Sequence, residues 1–208
     1  GMIYTVLEAY RNLIASNIMP MAITNNLNFA SPLDPNIMGE IVLSISGLSD
    51  IAKNLDTPIV SGNVSLYNQT NDRPINPTPV IGMVGCNSNW KKILQNKFIK
   101  ENDELILLGK SLGSDFSPYF LQDQKITSSI CEFNELLTPD IDLEIKTAKF
   151  NQKATETDLI QSANDISRGG IFMSLIKMSQ KNLGFSIDVN DERDIFCENS
   201  AGYILAID

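Results

Sequence analysis

The chain has 208 residues, 43% of them hydrophobic, and a formal net charge of −9. That length suffices for one large or two small domains, and the acid excess excludes a basic surface for nonspecific nucleic-acid binding. No apolar run approaches the ~20 residues that span a bilayer, and with no histidine there is no Ser–His or Cys–His pair and no imidazole base. Neither nucleic acid nor membrane is therefore expected as a partner. Cys86, Cys131 and Cys197 are scattered and odd in number, which predicts reduced thiols, each buried and structural. The N-terminus has no signal-peptide pattern, so the expected compartment is the cytoplasm. Gly1 before Met2 reads as a remnant of tag removal.

Residues 5–16 carry Val6, Leu7, Ala9, Tyr10, Leu13 and Ile14 at helical spacing. A strand over 19–23 follows, then a polar loop over 25–36 containing Pro32 and Pro35. Asn36 is placed to cap a second helix, with Met38, Ile41, Val42, Ile45, Leu48, Ile51 and Leu55 at i+3 and i+4. Gly47 inside it suggests either close packing or simple tolerance. Pro58, Ile59 and Val60 predict the end of a buried strand, opening into a turn at Ser61, Gly62 and Asn63. A strand over 80–84 and a basic, amphipathic connector around Trp90, Lys91 and Lys92 come next. A buried strand is expected over 104–108. Residues 110–114 could cradle a phosphate or form an ordinary surface loop. Pro139 and Asp140 start a helix with Ile141, Ile145 and Ala148, extending toward Ala154. Gly169 and Gly170 open another, containing Ile171, Phe172, Leu175, Ile176 and Met178. Residues 185–189 alternate like a half-exposed strand, and 203–207 form a more apolar one.

The chemistry concentrates at 61–65. Gly62 permits a tight turn or a ligand's close approach. Asn63 offers a neutral amide oxygen, a hard donor suited to magnesium, and Ser65 a hydroxyl. The same residues also suit a β-turn with an Asn cap. A second small-residue turn, 167–170, could hold an anion at a helix N-terminus or serve only to pack a strand against a helix.

Ser61, Gly62, Asn63, Val64, Ser65, Leu66, Tyr67 and Asn68 resemble the SGNVSLYN segment of the phosphoribosylformylglycinamidine synthase family, within the aminoimidazole-ribonucleotide-synthetase-like superfamily. Residues 20–29 are similar to that family's PLAITDCLNF, 77–85 to PTPVIGMVG, and 162–170 to SAHDVSDGG. The resemblance runs from about Leu7 onward. It implies an α/β (α+β) fold of two incomplete units from the second half of a longer chain, with mixed sheets and helices packed on one face. The expected divisions are 2–88, a connector at 89–96, and 97–208.

By resemblance, ATP is contacted at Gly62 and Asn25, magnesium at Asn63, and substrate at Ser65. The implied reaction joins glutamine-derived ammonia to formylglycinamide ribonucleotide. ATP phosphorylates the amide oxygen, and ammonia displaces the phosphate to give formylglycinamidine ribonucleotide. The implied partners are a glutamine amidotransferase subunit and a small accessory subunit. Three positions depart from the family pattern. Asn25 stands where the family has Asp, Asn164 where it has His, and Arg168 where it has an acid. Glu198, Asn199 and Ser200 lie at an ESQ-like segment, read here as a structural turn. The isolated chain is expected to be inactive and to self-associate as a homodimer through the first unit's sheet. A non-catalytic scaffold half, binding a structural nucleotide or none, is the alternative reading.

Overall fold

The computed structural model describes residues 1–71, 73–110, 139–180, 182–190, 192–198 and 200–208. They fall into two units, Gly1–Leu13 with Met19–Cys86, and Ile14–Ile18 with Asn87–Asp208. Residues 87–96 group with the second unit, where Leu94 N donates to Ser16 O at 3.2 Å and Asn17 Nδ2 to Lys92 O at 3.0 Å.

In the first unit, helix α1 (Met2–Ala15) buries Met2, Val6, Leu7 and Tyr10, the stripe that its spacing predicts. Strand β1 (Met19–Asn28) is longer than expected and takes in the first part of the predicted loop. Its polar second half is extended because it is paired on both sides, parallel to β2 (Ile59–Ser65) and antiparallel to β5 (Thr78–Cys86). Two ladders outweigh the weak strand preference of three asparagines. The sheet order is β2-β1-β5, a mixed sheet. A ribbon of β3 (Gln69–Thr70) and β4 (Arg73–Pro74) projects between β2 and β5 in sequence.

Helix α2 (Pro35–Asn54) starts two residues earlier than predicted. Asp34, not Asn36, is its cap, accepting from Asn36 N at 2.8 Å, with Pro35 in the first turn. Ile41, Leu48, Ile51 and Ala52 are buried, whereas Met38, Val42 and Ile45 on the same predicted stripe are exposed. On β1, Ile23 and Leu27 are buried along with the inner faces of the helices, while Thr24 and Asn26 are open. The helices therefore cover one face of the sheet.

The second unit is built on an antiparallel sheet of order β6-β8-β7, with β6 at Glu104–Lys110, β7 at Ile160–Asp165 and β8 at Ser200–Ile207. The predicted burial of β6 fails. It is an edge strand, and Ile106 and Leu107 are exposed. Helix α4 (Gly170–Met178) contributes Leu175 and Met178 to a core with Phe98, Ile166, Ile204 and Ala206. Helix α3 (Ile141–Glu156) is capped by Asp140, which accepts from Leu143 N at 2.9 Å. Its buried face is polar, with Glu144, Thr147, Asn151 and Thr155 around Ala148. Glu144 Oε1 accepts from Ala201 N at 2.9 Å, satisfying a buried amide. Residues 185–189 are not a strand, and among the described residues no strand pairs with them. Leu183 and Phe185 pack against the core from an irregular segment instead.

Candidate functional site

The expected turn after Val60 does not exist. Ser61, Gly62 and Asn63 continue β2 as far as Ser65, and β2 is an exposed edge strand rather than a buried one. Its register against β1 is Ser61↔Thr24, Gly62↔Asn25, Asn63↔Asn26 and Ser65↔Asn28. Alternation along a strand then sorts the four candidate residues onto two faces. Asn25 and Gly62 lie on the face of Ile23 and Leu27. Asn63 and Ser65 lie on the open face beside Thr24, Asn26 and Asn28. The structure thus brings the candidates together as two pairs, not as one cluster.

Gly62 is needed by its neighbour. A Cβ there would meet Asn25 Oδ1 at 2.3 Å, Asn25 Cγ at 2.7 Å and Asn25 O at 2.8 Å. The Asn25 carboxamide fills the space that glycine leaves, so the close approach expected of a ligand is made by the chain's own side chain.

On the open face, Asn63 Nδ2 donates to Asn26 Oδ1 at 3.0 Å. The Asn63 Oδ1 is left facing away from that contact. Ser65 Oγ lies 3.0 Å from Asn68 Nδ2 and 3.2 Å from Asn68 Oδ1. Asn68 Nδ2 also donates to Phe29 O at 3.0 Å, tying the end of β2 to the end of β1. Asn28 Nδ2 donates to Thr78 O at 3.1 Å. Asn26 and Asn68 were not singled out from sequence as supports. A period-two polar stripe on both strands, Thr24-Asn26-Asn28 against Ser61-Asn63-Ser65, was the available signal.

Strands β1, β2 and β5 contain no charged residue at all. Among the described residues, no group of three or more His, Cys, Asp or Glu could hold a metal ion. The donor set therefore does not fit a magnesium ion held by protein alone. It does fit a magnesium already bound to nucleotide phosphates, to which Asn63 Oδ1 would add one neutral oxygen.

The second candidate, at 167–170, resolves toward packing. Gly169 and Gly170 have φ of +87° and +69°, and a Cβ at Gly170 would lie 2.5 Å from Phe196 C. Gly169 N donates to Glu198 Oε1 at 3.3 Å, so the chain's own carboxylate sits at the start of α4. This gives Glu198 the structural role expected of it; Asn199 lies outside the described residues. Asn164 is buried, its Nδ2 donating to Asp165 O at 2.9 Å, and Ser174 Oγ donates to the same oxygen at 2.8 Å. Arg168 is exposed. Cys197 is buried as expected, whereas Cys86 at the end of β5 is exposed; Cys131 and residues 111–114, read as either a surface loop or a phosphate cradle, lie outside the described residues.

Residues 3–86 match the family of AIR synthase related protein, N-terminal domain, and residues 100–207 the corresponding C-terminal domain. Phosphoribosylformylglycinamidine synthase subunit PurL of Leuconostoc mesenteroides is 35% identical over 211 residues, covering 97% of this chain and 27% of that protein. PurL of Bartonella quintana is 36% identical over 209 residues, covering 97% and 28%. The chain thus spans little more than a quarter of these relatives. Among solved structures, phosphoribosylformylglycinamidine synthase II of Thermotoga maritima gives a TM-score of 0.64 at 19% identity, covering 100% of this chain and 29% of that one. T. maritima PurL complexed with FGAR gives 0.68 at 14% identity, with 99% and 34% covered. E. coli HypE, a hydrogenase maturation protein, gives 0.69 at 12% identity, with 100% and 65% covered. At these identities the structures speak for the fold.

Proposed function

Because the chain belongs to the AIR synthase related family through both of its domains, we propose that it is part of an ATP-dependent amidoligase. The reaction is the conversion of formylglycinamide ribonucleotide and glutamine-derived ammonia to formylglycinamidine ribonucleotide. The observation that carries this reading is identity of about a third to PurL subunits across nearly the whole chain. The complexes of T. maritima PurL with ATP and with FGAR support the choice of nucleotide and substrate. The T. maritima PurLQS assembly supports a glutamine amidotransferase partner; a small accessory subunit belongs to the same proposal.

In this reading Asn63 faces the magnesium that accompanies ATP, and Ser65 contacts the ribonucleotide from the same face. The nucleotide contacts expected at Asn25 and Gly62 fall on the other face of the sheet, where the Asn25 carboxamide occupies the space over Gly62. Magnesium supplies charge neutralisation between phosphates when bound. In this reading the described residues of β1, β2 and β5 orient the ligands and, having no charged side chain, supply no acid or base there. Carboxylates and a general base are expected from other segments, and the isolated chain is expected to be inactive. The predicted compartment is the cytoplasm, and the predicted state of the isolated chain is a homodimer through the sheet of the first unit. The units are expected to divide near the 89–96 connector.

A second reading has a specific observation in its favour. Asn25 in place of a family Asp, filling the space above Gly62 on an uncharged sheet, suits a scaffold half that holds a structural nucleotide or none. One assay separates the readings. The chain is mixed with a polypeptide carrying the remaining segments of a relative, and amidine formation from ATP, ammonia and substrate is followed. The first reading expects turnover that falls when Asn63 is replaced by Ala. The scaffold reading expects turnover indifferent to that substitution. Turnover by the chain alone would contradict both.

A further inference from the structure

We propose that Asn26 is a positioning residue for Asn63. By accepting the Nδ2 hydrogen bond at 3.0 Å, it turns the Asn63 Oδ1 outward as an oxygen ligand for a nucleotide-borne divalent cation. The inference rests on the reading of Asn63 given above.

The terminal torsion of an asparagine side chain is broad and roughly two-fold, so an untethered carboxamide presents NH2 as readily as oxygen. An NH2 group aimed at a cation is repelled, and an exposed edge strand offers little packing to prevent it. Asn63 is exposed on such a strand. Asn26 is better anchored. It sits in the central strand, paired with Asn63 on one side and with Val80 on the other. Its Oδ1 accepts from the Asn63 amide. A sheet with no charged side chain has few other means of fixing a metal-facing oxygen. A neutral ligand that cannot turn away is one.

The test uses the full chain, labelled with 15N, and three forms: wild type, Asn26→Leu and Asn26→Asp. Leu removes the acceptor at similar size, and Asp keeps one at the same reach. The first readout is the pair of Asn63 side-chain amide resonances. They should move in Asn26→Leu and stay close to wild type in Asn26→Asp. The second is ADP affinity by calorimetry, with and without magnesium. Asn26→Leu should weaken the magnesium-dependent affinity about two- to fivefold and leave the magnesium-free affinity unchanged. Asn26→Asp should not weaken it. The proposal is overturned if the Asn63 resonances ignore Asn26→Leu, or if affinity falls equally with and without magnesium. If the resonances respond but wild type has no magnesium-dependent affinity, the contact stands. The metal-facing reading of Asn63 is then wrong, and the role assigned to Asn26 falls with it.

Discussion

Replacing Gly62 by Ala tests the register on which the candidate site is built. The added Cβ would sit 2.3 Å from Asn25 Oδ1 and 2.7 Å from Cγ, both of which can swing aside, and 2.8 Å from the Asn25 carbonyl oxygen, which cannot. Relief requires β2 to separate from β1 at that pair. Overpacking of this kind costs about 1–3 kcal/mol, and an edge strand that can yield belongs in the lower half of that range. With a urea m-value of about 1–2 kcal/mol/M, the unfolding midpoint of the first unit falls by about 1 M, read by far-UV circular dichroism. In an Asn25→Ala background two of the three contacts disappear. The same Gly62→Ala change should then cost about half as much, a coupling of about 0.5–1 kcal/mol. Equal midpoints for all four proteins, or additive effects, would refute the pairing of Asn25 with Gly62 and the two-faced arrangement derived from it.

Other expectations follow from single contacts. Gly47→Ala places its Cβ 3.5 Å from Ile3 Cγ1, an ordinary contact. It should stabilise the first unit by about 0.5–1 kcal/mol through helix propensity, seen as a higher melting temperature. Glu144→Ala strands the buried Ala201 amide and should cost about 1–3 kcal/mol, whereas Glu144→Gln, which keeps an acceptor, should cost less; urea titration distinguishes them. Light scattering should give a dimer mass for the isolated chain, and a sharp monomer at working concentration would remove the proposed sheet-to-sheet association.

Where hydrophobic spacing coincided with burial, the fold was legible. Val6, Leu7 and Tyr10 announce α1, Leu175 and Met178 announce α4, and the apolar run at 203–207 marks β8. It was illegible where tertiary pairing decides. Nothing local makes Asn25 to Asn28 a strand; β2 and β5 on either side do. For the same reason Ser61 to Asn63 read as a turn, since Gly and Asn are turn residues until a parallel partner claims them. Residues 185–189 had the alternation of a strand, but no neighbour among the described residues pairs with them. The polar inner face of α3 runs against amphipathic patterning, because Glu144 is there to satisfy a backbone amide rather than to fill space. At the candidate site, the residue types were readable from the SGNVSLYN-like block. Their distribution over two faces was not, because facing depends on register, which follows from the pairing of residues 37 apart in sequence, such as Asn26 and Asn63.

The central claim is that the open face of β2 presents an oxygen to the metal of a nucleotide. Calorimetry of ATP with magnesium on wild type and Asn63→Ala tests it most directly. The account predicts measurable binding to wild type at or below millimolar nucleotide, weakened severalfold in Asn63→Ala only when magnesium is present. No heat at millimolar nucleotide, or identical affinities for the two proteins, would contradict it.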